Sequence, residues 1–190
     1  TCPNRDGTLG YRGCIFCSAG GSGDFTPDSR LSVKEQIESA RSLVARKYNG
    51  SSYIAYFQAY TNTYAPLEYL EQIFSQALSS PRVCGISIAT RPDCLPQEVL
   101  SLLSQLKGIY PEKFIWVELG LQTIHDATAR FIRRGYGLDC FEETFCRLGD
   151  LDIPVIVHTI LGLPGETRGQ MLETVSYLDR LRPFGVKLQL

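Results

Sequence analysis

TCPNRDGTLGYRGCIFC, residues Thr1–Cys17, places Cys2, Cys14 and Cys17 in a C-x11-C-x2-C array, with Phe16 just before the last cysteine. Three thiolates on one loop suit an iron–sulfur cubane whose fourth iron stays open to another ligand. A closed structural zinc site asks for four protein ligands, and no fourth cysteine or histidine lies nearby. Pro3, Gly7, Gly10 and Gly13 give the loop the composition of a backbone that turns tightly around a bulky object. The spacing therefore predicts a cluster cradle, with Cys2, Cys14 and Cys17 as its metal ligands.

Downstream of the loop, two hydrophobic periods alternate. Apolar residues three or four apart predict helices from Ser32 to about Tyr48, from Pro66 to Leu78 and from Pro96 to Leu106. The same spacing predicts helical turns over Ala127–Arg134 and helices over Phe141–Leu148 and Gly169–Leu181. Short apolar runs predict strands at Tyr53–Phe57, Cys84–Ala89, Phe114–Leu121, Val155–Leu161 and from Val186 onward. Strands of this kind, each followed by an amphipathic helix, imply a parallel sheet covered on its outer side. Right-handed crossovers curl such an array into a barrel or an open sheet, with ligands at the C-terminal ends of the strands. Polar residues gather at those ends: Gln58, Tyr60 and Thr61, then Thr90, Arg91 and Asp93, then Glu118 and Gln122, then His158 and Thr159.

A length of 190 residues suggests about one domain. The hydrophobic fraction of 44% and charged fraction of 21% are those of a globular chain. No apolar run approaches the roughly 20 residues of a membrane helix, so no membrane partner is expected. The net charge of −1 carries no electrostatic footprint of nucleic-acid binding. Seven cysteines, an odd number, argue against a disulfide framework and point to a reducing cytoplasm. The chain opens on Thr1 and stops inside the apolar run Val186–Leu190, so both ends are expected to be cuts in a longer chain.

Five stretches, read together, resemble the radical S-adenosylmethionine (radical SAM) superfamily. They are CPNRDGTLGYRGCIFC (Cys2–Cys17), YFQAYTNTYA (Tyr56–Ala65), TRPDCLP (Thr90–Pro96), ELGLQTIHDATARFIRRGY (Glu118–Tyr136) and HTILGLPGET (His158–Thr167). Within the superfamily they are most similar to the YhcC/YtqA-type proteins, near the elongator catalytic-subunit and oxygen-independent coproporphyrinogen oxidase branches. The resemblance implies an α/β fold, a partial (β/α)6 radical SAM barrel of parallel strands filling residues 1–190. Its first strand would lie upstream of Thr1 and its sixth would be cut within Val186–Leu190.

The resemblance also implies the cofactors, a [4Fe–4S] cluster and S-adenosylmethionine. The reduced cluster gives one electron to the sulfonium, and the 5′-deoxyadenosyl radical so formed abstracts hydrogen from a substrate. Phe16 falls where the family places an aromatic near adenine, Gln122 where the ribose hydroxyls are bound, and Arg134 where an arginine meets the methionine carboxylate. Gly162 opens the turn that lets backbone approach adenine. Thr90, opening Thr-Arg-Pro-Asp, and Gln58, at the end of the second family strand, complete the cofactor set together with Glu118. Two positions depart from the relatives. Ala89 stands where elongator-type enzymes have a glutamate, leaving Glu118 to take a ribose contact, and Gln58-Ala59-Tyr60 replaces a Gly-Gly-Glu motif. His158 replaces an aspartate of the coproporphyrinogen enzymes, which implies a different substrate. By family analogy the expected substrate is a tRNA wobble uridine, with a flavodoxin- or ferredoxin-like one-electron donor as partner. The alternatives are a radical SAM enzyme on a tetrapyrrole or other small molecule, and a non-catalytic zinc or other metal-binding module.

Simpler roles are expected elsewhere. Cys84 reads as core and Cys94 as packing, while Cys140 and Cys146, six apart on a helix, do not share a face at ligand spacing. Arg91 and Asp93 suit a loop ion pair as well as a ligand contact, and His125 suits a helix start. Lys187 points either into the site or out to solvent.

Overall fold

Ser32 and Thr167 start the first and last helices by the same device. Each hydroxyl accepts the backbone N–H three residues on, while the side chain of Glu35 or Gln170 reaches back to the cap's own N–H. The structure, a computed structural model, describes residues 1–21, 26–45, 47–48 and 50–190. In chain order the elements are α1 (Val33–Val44), β1 (Tyr53–Phe57), α2 (Leu67–Leu78), β2 (Val83–Thr90) and α3 (Gln97–Ile109). Then come β3 (Phe114–Gln122), α4 (Asp126–Phe131), α5 (Leu138–Asp150), β4 (Val155–Ile160), α6 (Arg168–Leu181) and β5 (Gly185–Gln189). The first helix ends at Val44 rather than near Tyr48, and Arg46, within the expected span, lies outside the described residues.

All five strands are parallel and lie in sequential order, β1-β2-β3-β4-β5. One face is apolar and covered by helices. Ile86 and Ile88 of β2, Val117, Leu119 and Leu121 of β3, and Val157 of β4 are buried with Phe74, Leu103, Leu106, Phe141 and Leu148 from the helices. Each such side chain contributes about 1.5–3 kcal/mol when taken out of water.

The other face is concave. In a flat sheet β1 and β5 would be about 19 Å apart, four strand spacings. Instead Lys187 of β5 donates to the Tyr56 hydroxyl of β1 at 2.7 Å. Only a sheet curled into a half-barrel brings these edges within side-chain reach. On each strand the residues two apart that face the hollow alternate with the apolar set. The curl therefore turns a period-2 pattern into a ring of inward side chains.

Candidate functional site

Asn4 organises the cysteine loop. It is buried, and its Nδ2 reaches Cys14 Sγ (3.3 Å), Arg133 O (2.8 Å) and Arg134 O (3.2 Å). Its own carbonyl accepts the Gly13 N–H at 2.8 Å. Cys2 O accepts the N–H groups of Arg5 and Asp6, Cys17 N–H donates to Cys14 O, and Ile15 N–H donates to Ile132 O. From the far side of the loop, the Arg5 guanidinium donates to Cys17 O (3.0 Å) and Ser18 O (2.6 Å). Gly21, with φ +62°, passes so close to Tyr60 that a Cβ there would clash with its ring. The loop is thus held by backbone bonds and by the Asn4 and Arg5 side chains, and its three cysteines form no disulfide. Burial pushes the Cys14 thiol up, and the Asn4 hydrogen bond offsets only part of that rise.

Cys2, Cys14, Cys17 and Phe16 form part of the wall of a cavity of about 360 Å³. Gln58, Thr90, Glu118 and Gln122, four of the residues expected at strand ends, line the same cavity. Arg134 and Gly162 do not. Among the described residues, no three His, Cys, Asp or Glu side chains gather around a single metal ion. Three cysteines along one cavity wall match in number and chemistry the donors a multi-iron group would take, in which each thiolate holds its own iron. The residues present therefore fit the cluster that the sequence implies.

Arg134 is fully buried and committed to backbone. Its Nη1 donates to Leu121 O (2.6 Å) and Thr123 O (2.7 Å), and its Nε donates to Tyr136 O (3.1 Å). Burial lowers its pKa. Those carbonyls flank a bulge in the β3–β4 pairing, where the register passes from Gly120↔His158 to Gln122↔Thr159. Gln122 sits in the bulge with φ +61°, a conformation that persists only when its surroundings over-determine it. The single Tyr136 hydroxyl proton is shared between Gly120 O (3.0 Å) and Gln122 Oε1 (3.1 Å), and Thr159 donates to Gln122 O (3.1 Å). Both Arg91 and Arg134 stand within 5 Å of the Tyr136 ring centroid, at 4.9 and 4.8 Å. Arg91 lines the cavity while held by two hydrogen bonds to Asp93, at 2.9 and 2.7 Å, so ion pair and cavity wall coincide in one residue.

Glu118 gathers the concave face. Its Oε1 accepts from Ser87 of β2 (2.7 Å), and its Oε2 accepts from Tyr56 of β1 (2.9 Å) and Lys187 of β5 (3.3 Å) and pairs with His158 Nε2 of β4 (2.5 Å). Every strand contributes one member. Burial pushes the carboxyl up, but hydrogen bonds from His158 and Ser87, with the charges of His158 and Lys187, outweigh it and hold the group at about 2. Burial and the neighbouring carboxylate raise the Tyr56 phenol.

Other expectations resolve simply. Lys187 faces the cavity. Thr90 lines it with its hydroxyl 2.6 Å from that of Thr63. The Thr159 hydroxyl instead holds the Gln122 carbonyl. His125 occupies the N-cap of α4 without a side-chain cap, its Nε2 lying 2.9 Å from Gln170 O. Cys94 is buried, as packing requires, whereas Cys84 is only half-buried and donates to Tyr53 O at 3.2 Å. Asn4, Ser87, Tyr136 and Tyr56 join the site as residues not expected from sequence. Tyr56 and Ser87 carry a usable signal, since each stands two residues before Gln58 or Ala89 and shares its inward phase; they are register partners on adjacent strands.

The family description "Radical SAM superfamily" matches residues 8–178. The chain is 44% identical over 189 residues to the "Uncharacterized protein YtqA" of Bacillus subtilis (strain 168), covering 100% of this chain and 58% of that protein. It thus spans little more than half the length of that relative. Its fold matches the archaeal Methanocaldococcus infernus Elp3 with a TM-score of 0.64 at 17% identity, over 82% of this chain and 40% of that one. It matches coproporphyrinogen III oxidase (HemN) from Escherichia coli, a radical SAM enzyme, with a TM-score of 0.62 at 15% identity, over 94% of this chain and 41% of that one. With the half-barrel and the three-cysteine cavity, these matches place the chain in the radical SAM superfamily.

Proposed function

We propose that the protein is a radical SAM enzyme that holds a [4Fe–4S] cluster on Cys2, Cys14 and Cys17 and S-adenosylmethionine beside it in the same cavity. The carrying observation is that three cysteines and four polar residues, three of them at strand ends and Glu118 within β3, expected from separate motifs, line one cavity. When bound, the two groups supply reductive cleavage of the sulfonium and a 5′-deoxyadenosyl radical for hydrogen abstraction. The chain's own residues bind and orient. Phe16 offers an aromatic face to adenine. Gln122, its amide oxygen held by Tyr136, turns its remaining donors toward the ribose. Gln58, Thr90 and Glu118 complete the polar wall, and Gly162 supplies the turn after β4. Arg134 acts as a positioning residue, because its three carbonyl contacts hold the bulge that presents Gln122.

The reading predicts that anaerobically reconstituted protein, given S-adenosylmethionine and a strong reductant, forms 5′-deoxyadenosine, and that Cys14→Ala protein forms none. Absence of product from well-loaded protein would contradict it. A flavodoxin- or ferredoxin-like donor in the cytoplasm supplies the electron in this reading. No helix among the described residues is long and apolar enough to cross a membrane. The proposed substrate is a tRNA wobble uridine, supported by the resemblance to the elongator branch. Transfer RNA from cells lacking the protein should then lack one modified wobble nucleoside, and an unchanged nucleoside profile would remove tRNA as the substrate.

A further inference from the structure

Among the described residues lining the cavity, Lys187 carries the most exposed charge. Glu118, the carboxylate on the cavity wall, is saturated: Ser87 occupies Oε1, and Tyr56, His158 and Lys187 share Oε2. Its side chain is 9% exposed, against 37% for Lys187. Arg91, also a cation on the wall, has its charge matched by Asp93 through Nε and Nη2, and its side chain is only 9% exposed. An ammonium has three protons. Lys187 spends two, on Tyr56 Oη (2.7 Å) and Glu118 Oε2 (3.3 Å). Tyr56 in turn donates its own proton to Glu118, which fixes the phenol oxygen as an acceptor for Lys187. The ammonium also stands 4.6 Å from the Tyr56 ring centroid, so the side chain is pinned rather than free to sample solvent. The wall thus shows a ligand a spent acceptor and an unspent cationic donor. The complementary group is an oxygen acceptor that carries negative charge.

We propose that Lys187, positioned by Glu118 and Tyr56, is a substrate-binding residue that takes an oxyanion of the substrate, a carboxylate or a phosphate. The proposal rests on the radical SAM reading of the cavity and names the class of substrate group that cavity receives. It uses residues apart from the three cysteines, so the two can fail separately.

The test is titration of the full-length, cluster-loaded protein with inorganic phosphate and, separately, with acetate, following the Lys187 side-chain resonances by NMR. Binding is expected for one of them, phosphate identifying a phosphate subsite and acetate a carboxylate subsite. Lys187→Met should weaken it about tenfold or more, the loss of one charge-assisted hydrogen bond. That variant leaves Glu118 with Ser87, Tyr56 and His158, so the fold has no new buried unpaired charge. Lys187→Arg should recover binding, and Cys14→Ala protein should retain it. No shift of Lys187 with either anion, or equal affinity in Lys187→Met, would overturn the proposal. Cluster loading is read independently from iron content and visible absorbance, so a protein that binds the anion but never loads a cluster sinks the radical SAM reading instead.

Discussion

Glu118 shows how far a single residue could be read from sequence. Its need for partners was legible, because a carboxylate in an apolar run needs them, although it sits in the middle of β3 rather than at the strand end expected. The partners were not, since Tyr56, Ser87, His158 and Lys187 come from four other strands and meet only through the curl. Glu118 titrates near 2 in the folded state instead of the ordinary 4.5. A folded pKa below the unfolded one means the native state binds fewer protons, so the stabilisation is full above pH 4.5 and is lost as pH falls toward 2. The effect is on the order of 2–3 kcal/mol. Urea denaturation of wild-type protein and Glu118→Gln should differ most at neutral pH and converge as pH falls through that window. A constant difference would show that the carboxylate is not held ionised by its neighbours. Arg134 differs from the sequence expectation, because its guanidinium is taken up by Leu121, Thr123 and Tyr136 carbonyls rather than facing the cavity. Arg134→Ala should lose on the order of 3 kcal/mol in urea denaturation. Unchanged stability with lost S-adenosylmethionine affinity would make it a direct ligand contact instead.

At the scale of elements, the two periods located the five strands and six α-helices among the described residues but not the short 3-10 turn Pro92–Cys94, and the differences have physical causes. Helical spacing runs on to Arg134, but α4 stops at Phe131. Ile15 and Asn4 of the cysteine loop claim the carbonyls of Ile132, Arg133 and Arg134. Arg133 and Gly135 turn to positive φ, +57° and +89°. Tertiary demand on backbone acceptors overrides local propensity there, and no single-sequence pattern reports it. The bulge at Gln122 is illegible for the same reason. Where local chemistry decides, the sequence suffices. The Thr167–Gln170 capping box sets the start of α6, and Thr167→Ala should cost about 1 kcal/mol. In thermal unfolding that appears as a fall of about 2–4 °C; no change would mean that tertiary packing alone sets the helix start.

For the whole molecule, continuous apolar strands predicted a parallel sheet, and its curl turns polar strand ends into the wall of a single cavity. The half-barrel brings the cysteine loop at one end of the chain and Lys187 near the other to one chamber. The central claim is that this chamber loads a cluster with one open iron. The most direct measurement is EPR of the anaerobically reconstituted, reduced protein before and after S-adenosylmethionine is added, with Cys14→Ala alongside. A [4Fe–4S]⁺ signal that changes on addition, and is missing from Cys14→Ala, is the predicted result. A signal indifferent to S-adenosylmethionine, or full cluster loading in Cys14→Ala, would contradict it.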